Sequence, residues 1–261
     1  MARRALLVGE SWITHETHIK GVDSFTNSTL VSGAGPFLSA VGSLTGWEVE
    51  HLMGHDVPRA FPSSEEEIAQ YSVIILSDIG SRSLAIHPET WGEGKARPDR
   101  LALVQRWVED GGGLAMIGGY LSFQGLNGTA RYRGTPVAEV LPVVMGEWDD
   151  CVERPAGARP KVLAGHALVE GLGVDWPALL GYNRVSAREG ATVLCTVDDS
   201  PLLVVGHHGR GRALAWTSDI GPHWCPREFL EWDGYGKLWR QAVKWLGNSH
   251  GGGIGTVVGE G

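Results

Sequence analysis

Three side chains in this 261-residue sequence have the type and setting for proton-transfer chemistry: Asp78, Tyr120 and His223. Asp78 closes the apolar run Val73-Ile74-Ile75-Leu76-Ser77 and could bind a ligand or cap the next helix. Tyr120 follows Leu114-Ala115-Met116-Ile117 across the pair Gly118-Gly119. Its phenol, with an ordinary pKa of ~10, is a poor nucleophile, but it can donate a hydrogen bond or act as acid or base once that pKa is lowered. The bland alternative is a ring that plugs a vestigial pocket. Backbone N–H groups near Gly118, Gly119 and Leu121 could receive an oxyanion, and Ser122 stands on the same turn. His223 lies in Asp219-Ile220-Gly221-Pro222-His223-Trp224-Cys225, as a ligand-facing group or as a structural partner of Asp219. Cys225 could be a nucleophile paired with His223, although such close spacing rarely gives the geometry.

Other clusters are weaker. His15-Glu16-Thr17-His18 lacks the His-Glu-x-x-His spacing of zincins. Its two imidazoles could share one face of a helical turn and hold a metal with Asp23, Asp78 or His223; the alternative is a solvated loop. No metal or other cofactor is expected. Lys20 could anchor an anionic or hydroxylated ligand, or pair with a surface carboxylate. Asp149, Asp150, Glu153 and Arg154 could supply paired carboxylates for a sugar-type reaction, or form a salt-bridged loop or subunit contact. His207-His208 reads as exposed turn sequence. Among the late tryptophans, Trp239 and Trp245 fall on the inner face of a helix, leaving Trp224, and less clearly Trp12, to stack on a ligand.

These groups need a scaffold. Ala5–Gly9, Trp47–Met53, Val73–Asp78 and Leu114–Ile117 are short apolar runs that read as buried strands. Between them come helical patterns over Pro36–Leu44, from Ser63-Ser64-Glu65 onward, and over Pro98–Asp110, where Leu101, Val104 and Val108 share a face. Strand–helix alternation predicts an α/β, mostly parallel sheet covered on both faces. Ligands bind beyond the carboxyl ends of such strands, which selects the loops Glu10–Asp23, Asp78–Arg82 and Gly118–Gln124. The second half is β-rich: Thr192–Val197, Leu202–Gly206 and Arg212–Ser218 read as antiparallel strands joined by Asp198–Pro201 and His207–Gly211. A last helix covers Tyr235–Leu246. Residues 1–247 read as one domain and 248–261 as a Gly-rich tail.

Composition narrows the function. A net charge of −8 disfavours nucleic acid, and no basic patch compensates. Three cysteines are too few for a disulfide framework, which suits a reducing cytoplasm. The sequence predicts no secretory signal and no membrane span. Gly (38 residues) and Trp (11 residues) are abundant, which predicts many sharp turns and large rings that need burial or a ligand.

The run Gly111-Gly112-Gly113-Leu114-Ala115-Met116-Ile117-Gly118-Gly119-Tyr120-Leu121-Ser122-Phe123-Gln124 resembles the nucleophile turn of class I glutamine amidotransferases, in which Gly-x-Cys-x-Gly joins a strand to a helix. Tyr120 stands where that family has its Cys. His223 could match the triad His, but Cys225 falls where its Glu should be. Two of the three catalytic positions are lost, so glutamine hydrolysis is not carried over. Nearly the whole chain is similar to a bacterial family of glutamine amidotransferase-like proteins, related in fold to the trehalose-utilisation ThuA-like proteins. The similarity rests on Lys20–Phe25, Ser77–Gly80, Gly118–Gly125, Leu141–Val143, Asp149-Asp150, Val152–Pro155, Leu180–Asn183 and Ser218–Trp224. It implies a flavodoxin-like fold and no established reaction. Where the family leads one to expect Arg after Asp149-Asp150, this chain has Cys151. Two functions stay open. One is an enzyme acting on a small polar or sugar-like molecule through Tyr120, His223 and Asp78, with Gly118, Gly119, Ser122, Lys20, Asp219 and Trp224 binding it. The other is a non-catalytic ligand-binding or assembly protein. A homo-oligomer is expected in either case.

Overall fold

A computed structural model describes residues 2–248; the expected tail, from residue 249 on, lies outside the described residues. Fourteen strands are assigned among these residues: β1 (Arg3–Gly9), β2 (Ser11–Lys20), β3 (Asp23–Ser32), β4 (Trp47–Leu52), β5 (Val73–Ser77), β6 (Gly113–Ile117), β7 (Val143–Met145), β8 (Cys151–Ala158), β9 (Lys161–Val162), β10 (Leu179–Asn183), β11 (Val185–Ala187), β12 (Thr192–Val197), β13 (Ser200–His208) and β14 (Gly211–Trp216). The central sheet has the order β4-β1-β5-β6-β14-β13-β12-β9. The pairings from β4 to β14 are parallel, and those from β14 to β9 are antiparallel. The parallel part thus runs second, first, third, fourth, fifth in chain order, which puts the topological switch point between β1 and β5.

Alternation along the strands divides the core into two layers. Ala5, Leu7, Val73 and Ile75 face the helices Gly35–Gly42 and Asp233–Gly247, through Phe37, Val41, Leu238 and Trp239. Leu6, Val8, Ile74 and Leu76 face the helix Arg100–Glu109, through Leu101, Val104 and Val108. That helix begins later than Pro98 because the Asp99 carboxylate accepts the N–H groups of Leu101 and Ala102 and fixes the cap. Ser64 caps Glu65–Ile68 through Glu67 N–H, as its sequence predicts. The β12–β13 turn has Asp198 and Asp199 both at positive φ, the geometry of a tight hairpin. Trp239 is core, whereas Trp245 is half-buried with Arg212 over its ring.

The largest departure follows β1. The stretch expected as a polar loop is a long antiparallel hairpin, with β2 and β3 paired from Ser11–Ser32 to Lys20–Asp23. It projects as a sheet of its own.

Candidate functional site

The switch point places two carboxylates. β1 ends at Gly9, with φ +93°, where an added Cβ would lie 2.1 Å from the Ser77 carbonyl. Glu10 follows in the left-handed region and is buried, with Ser77 Oγ donating to its Oε2 at 2.6 Å. Gly33 and Gly221 give this carboxyl its room, since a Cβ at either would stand 2.4 or 2.6 Å from Oε1. Burial, then the charge of Asp219, pushes Glu10 up to about 8, so it holds its proton at neutral pH. Asp78, after β5, is also left-handed. Its N–H donates to Ser122 Oγ (3.1 Å), and its Oδ1 accepts the Leu121 N–H (2.6 Å). Burial, followed by Asp219, raises Asp78 to about 6.

The turn after β6 lies against both. An added Cβ on Gly119 would stand 2.7 Å from Asp78 Oδ1 and 3.0 Å from Asp219 Oδ1. Gly118 passes so close to Thr217 that a Cβ would be 2.3 Å from its carbonyl oxygen. Buried Asn183 locks this turn: its Oδ1 accepts the Gly119 N–H (2.9 Å), and its Nδ2 donates to the Gly119 carbonyl (3.1 Å) and to Asp150 Oδ1 (2.8 Å). Asp150 in turn accepts the N–H groups of Gln124 and Gly125.

The third element is the loop after β14. Asp219, 5% exposed, accepts both His223 Nδ1–H (2.8 Å) and Trp224 N–H (3.0 Å). The carboxylate raises the imidazole pKa above its ordinary value, while burial raises that of Asp219. With the proton on Nδ1, Nε2 remains for a ligand. Tyr120 packs edge-on against His223 (4.4 Å between ring centroids) and Trp224 (5.6 Å). Its hydroxyl donates to Glu153 Oε1 at 2.8 Å. Burial, then Glu153, pushes the phenol up to about 12 and keeps it neutral.

Glu10, Trp12, Asp78, Tyr120, Leu121, Asp219, Pro222 and His223 line one cavity of about 370 Å3, within the ordinary range for small-molecule sites. The three groups singled out for proton transfer therefore share one space. Gly118, Gly119 and Ser122 do not line it; they hold the turn that presents Tyr120 and Leu121.

Several expectations are corrected. The three N–H groups considered as oxyanion donors are already occupied: Gly118 donates to the Trp216 carbonyl (2.7 Å), Gly119 to Asn183 and Leu121 to Asp78. Asp78 does not cap the following helix, Ser81–Ala85, whose N-cap is Gly80. Cys225 is fully buried, and burial then Asp219 raises its thiol pKa, which removes it as a nucleophile. Burial also raises the Cys151 thiol, helped by Asp150, Asp149 and Glu153. Trp224 is 1% exposed and donates Nε1–H to Glu153 behind Tyr120; Trp12 is the tryptophan on the cavity wall. Lys20 sits near the hairpin tip with Nζ over Phe25, away from the cavity. His15 and His18 lie on a strand rather than a helical turn, so their odd spacing sends them to opposite faces. Among the described residues no cluster of three or more His, Cys, Asp or Glu could hold a metal. Asp149 and Asp150 secure backbone N–H groups, and Arg154 pairs with Asp198. His207 and His208 end β13 rather than form the turn.

Glu10 and Asn183 escaped sequence reading. The strand-end rule marked the loop containing Glu10, but nothing local shows that Gly33 and Gly221 would enclose its carboxyl. Asn183 is 64 residues from the turn it locks.

A switch-point site with a Gly-Gly turn but no thiol at its tip defines an α/β protein of the glutamine amidotransferase-like class. The sequence profile of the family described as "Putative glutamine amidotransferase" matches residues 4–248, and the chain belongs to that family. Two solved structures described as cytoplasmic proteins of Salmonella typhimurium are 40% and 39% identical to it. Each covers 93% of this chain, and 98% and 99% of its own length is matched, with a TM-score of 0.89 in both cases. A ThuA-like protein from Parabacteroides merdae is 12% identical, covers 95% of this chain and 91% of its own, and has a TM-score of 0.58, a likeness of fold. No curated protein matches the sequence. Among the described residues no helix is long and apolar enough to cross a membrane.

Proposed function

We propose that the cavity binds a small, uncharged, hydroxyl-bearing molecule of sugar-like character and moves a proton on it. The observation that carries this reading is the Asp219–His223 pair, with Nδ1 held by the carboxylate and the ring lining the same cavity as Asp78. A carboxylate in that position fixes the tautomer and stabilises the imidazolium, which makes Nε2 a general base. Asp78 near 6 and protonated Glu10 supply an acceptor and a donor within the same space. Trp12 offers an apolar face for a ring. Among the described residues no Lys or Arg lines the cavity, so an anionic ligand would meet carboxylates without compensation there. Glutamine hydrolysis is not part of the reading, because Tyr120 replaces the thiol and its phenol is bound to Glu153. The family likeness to two cytoplasmic proteins supports a cytoplasmic site of action.

A non-catalytic binding or assembly role on the same fold is favoured by one observation: the N–H groups of Gly118, Gly119 and Leu121 are satisfied from within.

A thermal-shift screen of neutral sugars and polyols, amino acids and divalent metals tests the reading. A binder raises Tm by mass action. The expected result is a shift with a neutral polyol that is lost in His223→Asn and Asp78→Asn, and no ammonia released from glutamine. A polyol shift retained in both variants, or shifts only with amino acids or metals, refutes it. Binding without turnover selects the non-catalytic role.

A further inference from the structure

The hairpin β2–β3 contributes little to the site beyond Trp12 at its root, and its construction calls for a cover. It carries ten successive cross-strand pairs without a register break, from Ser11–Ser32 to Lys20–Asp23. Apart from Ser11, Thr14 and Val31, every residue of the two strands is exposed. Strand alternation puts Ile13, Ile19 and Leu30 on one face and Trp12, Phe25 and Val31 on the other. Ile19 is 75% exposed, and Ile13, Phe25 and Leu30 are about half exposed. A lone two-stranded ribbon is marginally stable in water at best, and its free edges invite pairing.

We propose that this arm is the docking surface for a second copy of this chain. Two observations and one argument select that occupant. The arm spans residues 11–32, a length on the scale of the roughly 20–30 residues that each side of a standard stable interface contributes. Its charges are mixed, with Glu16 and Asp23 against Lys20; a surface for nucleic acid or an acidic membrane needs an excess of cations. Its need for cover is constitutive, and another copy is present wherever the chain folds. The contact is reciprocal, with each arm seated on the other subunit.

Light scattering and hydrogen exchange on the full chain test this. The wild type is expected to scatter at twice its 28.0 kDa or more. A variant with Ile13→Asp, Ile19→Asp and Leu30→Asp is expected at half the wild-type mass or less, with unchanged near-ultraviolet circular dichroism. Exchange in the unmodified protein keeps the question open to refutation should the variant misfold: amides of residues 11–32 are expected to exchange slowly at about 100 µM and faster on dilution to about 1 µM or below. A monomeric wild type, an assembly that survives the triple substitution, or fast exchange of the arm at the higher concentration overturns the proposal.

Discussion

Two regions that leave β1 side by side obey different rules. Glu10, the first residue past the strand, is buried against Ser77, Gly33 and Gly221, and its protonation is set by that burial. One residue later the hairpin begins, and nearly all of it stands in water. Around the cavity, Gly9, Gly33, Gly118, Gly119 and Gly221 leave no room for a Cβ, because backbone from β1, β6 and the loop after β14 converges there. The arm has local cross-strand pairs but no body of protein behind it. The site's residues are therefore held by the fold around them, and the arm's by local strand pairing alone.

The largest expected effect lies in the site. Gly118→Ala puts a methyl 2.3 Å from the Thr217 carbonyl oxygen and should cost about 2–4 kcal/mol in chemical denaturation, as overpacking against backbone does. A cost under about 0.5 kcal/mol would mean the turn is loose and would weaken the contrast.

An intermediate effect comes from protonation. The folded state raises Glu10 and Asp78 above their ordinary values and so binds protons better than the unfolded chain. Their contribution is full at acid pH and is lost as pH rises, for Asp78 from about 4 to 6 and for Glu10 from about 4.5 to 8. His223, also raised, shifts stability in the same direction. Denaturation midpoints should thus fall between pH 5 and 8, and Glu10→Gln should flatten the fall. An unchanged slope in that variant would show that the carboxyl is not buried as described.

The smallest effect belongs to the arm. Val22→Ala, at the fully exposed tip, should change stability by less than about 0.5 kcal/mol. A larger loss would show that the tip is packed and would sharpen the role of its cover.

Much of the scaffold was readable in the sequence. Apolar strands separated by amphipathic helices left a parallel sheet as the natural arrangement, and the strand-end rule led to Asp78 and the Gly118-Gly119 turn. The likeness to the glutamine amidotransferase-like family was equally local, and the family match over residues 4–248 bears it out. The hairpin was misread because its strands alternate Thr, His, Ser and Glu with scattered apolar residues. Without a buried face, such a run carries no clear period of two. Lys20 and Trp224 were misplaced for related reasons: one rides the hairpin away from the site, and the other turns inward behind Tyr120.

The sequence by itself determined the parallel strands β1, β4, β5 and β6, the antiparallel β12, β13 and β14, the longer helices and the acid–base repertoire, because each is written in local residue type and spacing. The tertiary structure alone decided which groups share the cavity, which carboxyls keep their protons and whether the turn's N–H groups are free. Those depend on the Asn183–Gly119 hydrogen bonds and on the charge of Asp219 felt by Glu10, between residues far apart in the chain. Burial and electrostatic coupling act through space, and sequence distance holds no record of them.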